Sequence, residues 1–263
     1  MHPDPKDAAW LLEEKYHGVE SDAYRADCER LAIGEPLAYV IGWQPFLGLT
    51  IRVDSHPLIP RPETEWWTER MLRKVGAVFS ATGCPNDSGP EGAEKPRQLI
   101  VLDLCAGSGA IGCAVLKYLP DAEVFFAEID PTHEAPIHKN IRENGLDASR
   151  AHVLIGDLFD PLPPDLRFDL VACNPPYIPS GRTLDASVSD HEPPLAIFSG
   201  ADGLDLIRRI ATELPNRLAP GGQAWIECDS AHAEAARTLF TSHRLASSLH
   251  SDQYAQSRVV VVS

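Results

Sequence analysis

A chain of 263 residues is long enough for one large domain, or for a main domain with a small one beside it. Its 44% apolar and 23% charged content is that of an ordinary globular protein, and no run nears the ~18 apolar residues of a membrane span. The 23 basic residues stand against 38 acidic ones, a formal charge of −15 with no Lys/Arg cluster. A duplex nucleic acid needs a basic face to displace its counterions, so this balance weighs against such a partner.

The start, MHPDPKDAAWLLEEKYHG, has neither the apolar core of a secretory signal nor the Arg-rich, acid-poor helix of a transit peptide. An intracellular location is expected, cytoplasmic or, in a eukaryotic source, mitochondrial. Cys28, Cys84, Cys105, Cys113, Cys173 and Cys228 form no C-x-x-C and pair with no H-x-x-x-H, which argues against zinc; no metal is expected.

In chain order, residues 7–17 and 21–33 have helical spacing, with Ser21 or Asp22 as a cap. Residues 36–54, PLAYVIGWQPFLGLTIRVD, alternate apolar and polar around Gly and Pro and predict a hairpin. After IPRPETE a helix is predicted from about Glu63 to Phe79. Residues 80–98 are polar and rich in Gly and Pro, and read as a solvent loop or partly disordered insertion. QLIVLDL (98–104), EVFFAEI (123–129), AHVLIG (151–156) and FDLVACN (168–174) are short apolar runs with helical stretches between most of them. That alternation predicts an α/β fold with a doubly wound, mostly parallel sheet. QAWIECD (223–229) continues the series, and LASSLHSD and SRVVVVS are spaced as a C-terminal antiparallel pair.

Ligands of open α/β sheets bind outside the carboxyl ends of the strands. The first run ends in DLCAGSGAIG, where Gly107 and Gly109 permit a tight turn before a helix N-terminus. An ordinary strand-to-helix turn explains this segment equally well when taken alone. Glu128 tips the second run, 19 residues after Gly109, the spacing at which an acid reaches a ribose; a surface glutamate is the plain alternative. Asp157, in GDLFDP, could accept a bond from an adenine amino group. Three such features at successive strand ends describe a nucleoside-bearing cofactor across the sheet edge.

The fourth run ends in CNPPYIP. As a bare tetrapeptide its prolines could be punctuation that stops the strand ladder. Beside a cofactor they read differently. A planar NH2 group that must attack an electrophile needs two acceptors for its two hydrogens. Asn174 offers a side-chain carbonyl and Pro175 a backbone one, held rigid because a residue before proline is kept extended. Tyr177 offers a flat face for stacking.

Together these residues resemble class I S-adenosylmethionine-dependent methyltransferases, and more narrowly the HemK/PrmC family of protein-glutamine methyltransferases acting on peptide chain release factors. The likeness runs from about Leu31 to the C-terminus and includes EPLAYVIGWQPFLGLTIRVDSHPLIPRPETE (35–65), DLCAGSGAIG, GDLF, CNPPYIP, HEPPLAIFSGADGLDLIRRI (191–210) and APGGQAWIE (219–227). It implies a seven-stranded sheet, with domains at 1–35 (helical), 36–60 (linking hairpin) and 61–263 (methyltransferase, with the insertion at 80–98). It places the cofactor loop on Cys105, Ala106, Gly107, Ser108 and Gly109, the ribose acid on Glu128 and the adenine-side pair on Asp157 and Leu158. The target-amide motif falls on Asn174, Pro175, Pro176 and Tyr177, with Asn174 also at the cofactor. Arg61 and Glu63 match PRPET and are placed near the cofactor cleft.

The implied reaction is methyl transfer from S-adenosyl-L-methionine to the glutamine of a release-factor GGQ motif, by a monomeric enzyme without nucleic-acid or membrane partners. Adenine-amine methylation shares NPPY but should bring a basic surface, and a ribosomal-protein glutamine is a minor variant. A non-catalytic binding module is opposed by the intact NPPY with Gly107, Gly109 and Glu128. Two departures stand out. Cys105 replaces a usual glycine, which fits freely only if the backbone needs no positive φ. About 33 residues precede EPLAY, a short region for holding a release factor. The 80–98 insertion differs from compact bacterial forms and suggests a eukaryotic, organellar member.

Overall fold

The computed structural model describes residues 3–81 and 98–263. The core of the predicted 80–98 insertion lies outside the described residues. Asp4 and Ser21 cap α1 (Pro5–Glu14) and α2 (Asp22–Ala32), each accepting a bond from a first-turn backbone N–H. A short helix, α3 (Leu37–Ile41), closes at Gly42 before the hairpin of β1 (Trp43–Phe46) and β2 (Leu49–Arg52). The alternation over 36–54 therefore predicts the hairpin and misses α3. Ala38, Tyr39, Val40 and Ile41 are all buried, so the helix has no polar face to mark its period. Next, α4 (Pro62–Ala81) opens on a proline, where no helical N–H is required.

Seven strands form one sheet. They are β3 (Leu99–Leu104), β4 (Ala122–Glu128), β5 (Ala151–Ile155), β6 (Phe168–Cys173), β7 (Leu218–Glu227), β8 (Ser247–Ser251) and β9 (Ser257–Val262). Their spatial order is β5-β4-β3-β6-β7-β9-β8, parallel from β5 to β7, with β9 antiparallel to both its neighbours. The remaining helices are α5 (Ala110–Tyr118), α6 (Glu134–Glu143), α7 (Ala186–Ser189), α8 (Asp205–Glu213) and α9 (Ala233–Ser242).

Residues alternate between two cores, as the period of a strand requires. Val101, Leu170 and Ala172 pack with Trp67 and Met71 of α4, Val115 of α5 and Ile141 of α6. Leu102, Leu104, Val171 and Cys173 pack with Ile207 and Ile210 of α8 and Phe240 of α9. Both faces are thus covered, which explains the near-continuous apolar runs of the sequence. The chain runs outward from β3 to β5 on one side and from β6 on the other. The order reverses between β3 and β6, the point where open α/β sheets form their crevice. Among the described residues no helix is long and apolar enough to cross a membrane.

Candidate active site

Outside the carboxyl ends of β3, β4, β5 and β6 lies a cavity of about 390 Å³. Small-molecule sites span roughly 300–1,000 Å³, so it can hold a nucleoside-sized ligand. Its wall brings together Cys105, Ala106, Gly107 and Ser108 after β3, Glu128 at the tip of β4, Asp157 and Leu158 after β5, and Asn174 and Pro176 after β6. Four segments far apart in sequence thus converge on one crevice.

The loop after β3 is tightly wound. Cys105, Gly107 and Gly109 have φ of 60°, 54° and 75°. Cys105 therefore sits in the left-handed region, where a side chain costs roughly 1–2 kcal/mol, and the condition for a strain-free fit is not met. Leu158 shares that conformation, with φ of 48°. Such strain gathers at ligand sites. Gly109 does not reach the wall: it caps α5, and a Cβ there would lie 3.1 Å from Ile137 Cγ2. Close packing of the helix explains this glycine.

Glu128 is buried, and both its oxygens hold backbone. Oε2 accepts from the Gly107 N–H at 2.6 Å and Oε1 from the Asp130 N–H at 2.9 Å. Each carboxylate oxygen has a second lone pair, so the group can still receive a hydroxyl. Asp157 is already partnered, accepting from Arg209 of α8 at 2.8 Å. That contact in turn raises the pKa of Arg209. His133 also lines the cavity, with Nδ1 2.8 Å from Ser55 Oγ.

Asn174 follows the last residue of β6. Its Nδ2 donates to Thr64 Oγ1 at 3.1 Å, while its Oδ1 is buried with no partner. A buried acceptor left unmade is unfavourable by about 1–3 kcal/mol, and in a cavity wall it marks a place for a ligand donor. Pro175 is buried and off the wall. Tyr177 is off the wall as well, so the expected stacking face is not presented to the cavity. Its ring packs on the α8–α9 core and its hydroxyl donates to Glu227 Oε1 at 2.8 Å. Burial and then the neighbouring Glu227 push that hydroxyl far above its ordinary pKa.

Among the wall residues that the sequence does not single out are Pro60 and Thr64, although both lie in the IPRPETE stretch. Arg61 and Glu63 of that stretch do not line the cavity. The second glycine of GADGLDL has a steric cause: a Cβ on Gly203 would lie 2.3 Å from the Tyr177 carbonyl oxygen. Among the described residues no group of three or more His, Cys, Asp or Glu could hold a metal ion.

Residues 91–191 match a methyltransferase small domain. A release factor glutamine methyltransferase of Geobacter sulfurreducens is 36% identical over 224 residues, 84% of this chain and 70% of the relative. One of Bordetella pertussis is 36% identical over 238 residues, 88% of this chain and 79% of the relative. Among solved structures, the hMettl16 catalytic domain in complex with a MAT2A 3'UTR hairpin aligns with a TM-score of 0.60 at 16% identity, over 98% of this chain and 91% of its own. A T. thermophilus 16S rRNA N2 methyltransferase in complex with AdoMet and guanosine aligns at 0.55 and 19%, over 84% and 49%. These structural likenesses establish a shared fold.

Proposed function

The chain belongs to the release factor glutamine methyltransferase family and is an S-adenosylmethionine-dependent protein-glutamine methyltransferase; on that premise we propose that its cavity brings the cofactor against the GGQ glutamine of a peptide chain release factor. The observation that carries the reading is the unpartnered, buried Oδ1 of Asn174, a residue of the cavity wall. A glutamine side-chain NH2 is the donor that would satisfy it.

S-adenosylmethionine, when bound, supplies an electrophilic methyl group on a sulfonium. Residues 105–108 would hold it, with Glu128 to receive its ribose hydroxyls and Asp157 and Leu158 on the adenine side. The cavity's size, the lone-pair capacity left on Glu128 and the close-packed glycine loop all fit that group.

Asn174 Oδ1 takes one hydrogen of the substrate amide; Pro175 lies off the wall, so its carbonyl is not assigned the other. With that hydrogen held, the amide nitrogen is oriented and its lone pair freed from the planar amide as the new bond forms. An interaction that strengthens in the transition state raises turnover and not merely binding. Orientation of this kind can supply roughly 7–11 kcal/mol of a barrier. No strong base is needed, because the surplus proton leaves the nitrogen after transfer. The location consistent with such a substrate is intracellular, in the cytoplasm or a mitochondrion.

The test is incubation of the chain with labelled S-adenosylmethionine, a folded release factor, its GGQ→GGA variant, and DNA and RNA oligonucleotides. Label should appear on the GGQ glutamine alone. Label on adenine, with the release factor unmodified, would overturn the assignment.

A further inference from the structure

We infer that Thr64, itself held by Glu227, is a positioning residue that fixes which end of the Asn174 carboxamide meets the substrate. The inference rests on the glutamine-methylation reading and adds the device that makes Asn174 an acceptor.

Five side chains from three distant segments meet under the cavity. Thr64 Oγ1 and Trp67 Nε1, both from α4, lie 2.7 Å from Glu227 Oε2 at the end of β7. Tyr177 donates to the other oxygen at 2.8 Å, and Asn174 Nδ2 lies 3.1 Å from Thr64 Oγ1. Thr64 and Glu227 are 4% and 1% exposed, so water does not compete for these bonds.

Donor counting then fixes the directions. An indole N–H can only donate, so Glu227 Oε2 is an acceptor. The Thr64 hydroxyl has a single hydrogen and directs it to that same oxygen. What Thr64 has left for Asn174 is a lone pair. Only the NH2 end of the carboxamide can use a lone pair, so the carbonyl end is forced the other way. A flipped Asn174 would set its carbonyl against the Thr64 oxygen, acceptor against acceptor. It would also offer hydrogens where the substrate amide brings its own. The unpartnered state of Oδ1 is the counterpart of this arrangement. Glu227 thereby acts three hydrogen bonds away from the reacting nitrogen, through Thr64 and Asn174.

A merely structural role, pinning α4 to the sheet, predicts a different result from a positioning one. Thr64→Val keeps the side-chain volume and removes the hydroxyl, whereas Thr64→Ser keeps the hydroxyl. Methylation kinetics on a release factor, calorimetric S-adenosylmethionine binding and melting curves are to be measured for both. For Thr64→Val, kcat should fall by about 10–100-fold, by analogy with the loss of a partner that orients a metal ligand. The cofactor Kd should move by less than about threefold, and Thr64→Ser should restore most of kcat. Should the Val variant not fold, Thr64→Ala set against Thr64→Ser gives the same comparison.

Thr64→Val with wild-type kcat, or Thr64→Ser as impaired as Thr64→Val, overturns the positioning role while leaving the family reaction intact. A wild-type chain that leaves the release-factor glutamine unmodified overturns both readings.

Discussion

Arg61 donates to the buried carboxylate of Glu192, across 131 positions of sequence. The contact ties the PRPET segment, which leads into α4, to the EPPLA segment beyond α7. Glu192 also accepts from the Ile59 N–H at 3.3 Å, so it is the knot between the two. Arg61→Ala leaves a carboxylate that is 1% exposed with that one weak donor. Stability should fall by about 1–3 kcal/mol, the penalty of an unpaired buried polar group. Chemical denaturation checks this.

Asn174→Ala removes the acceptor proposed for the substrate amide. Turnover should drop about 10²-fold or more, the effect of losing one preorganised polar contact. Cofactor affinity should change far less. Near-normal turnover would remove Asn174 from the mechanism.

Glu128→Ala should weaken S-adenosylmethionine binding by about 1.5–3 kcal/mol, as for a lost charge-assisted hydrogen bond. The Gly107 N–H is freed at the same time, so part of that loss comes from a loosened loop. Glu128→Gln separates the two effects. Its single carbonyl oxygen can still hold the Gly107 N–H, and its affinity should fall between the wild type and Ala. Calorimetry showing all three alike would move the ribose contact to Asp130.

Asp103 gives a pH dependence. Its Oδ2 accepts from the Gly112 N–H at 2.8 Å, its Oδ1 has no partner, and the residue is 1% exposed. Burial, aided by the charge of Glu128 and opposed by the Gly112 bond, pushes its pKa up to about 8. An unfolded aspartate titrates near ~3.9, so between these values the unfolded chain has released a proton that the folded chain retains. The stability that Asp103 contributes is complete below pH ~4 and is lost as pH rises towards about 8. Melting temperature should therefore decline from pH 5 to 8 more steeply in the wild type than in Asp103→Asn, whose side chain stays neutral throughout. Parallel curves over that range would sink the assignment.

Glu128, Asp157 and Asn174 were legible in the sequence because each stands at or just beyond the carboxyl end of an apolar run of the parallel sheet. A strand end in a parallel sheet fixes where the next polar residue must lie. The Thr64–Glu227–Asn174 contact was not legible. Its members sit 163 and 110 positions apart and touch only because α4 packs on the sheet. Nor does sequence reveal that Asp157 is paired with Arg209, since the periodicity of α8 tells only that Arg209 is on the face away from Ile207 and Ile210. α3 was hidden for the opposite reason, being apolar all round.

Cys105 shows how a backbone angle escapes a residue pattern. A small side chain looks compatible with the loop, yet its φ is 60°. Cys105→Gly relieves a left-handed strain of about 1–2 kcal/mol. It also returns about 0.5–1 kcal/mol to the unfolded chain as backbone freedom. The net should be a gain of about 0.5–1 kcal/mol in stability, less whatever packing the thiol makes with the core around Cys173. Cys105→Val should go the other way, because a β-branched side chain tolerates positive φ least. Urea denaturation of the two variants beside the wild type decides the matter. If Gly is the less stable of the two, the loop is not strained at this residue.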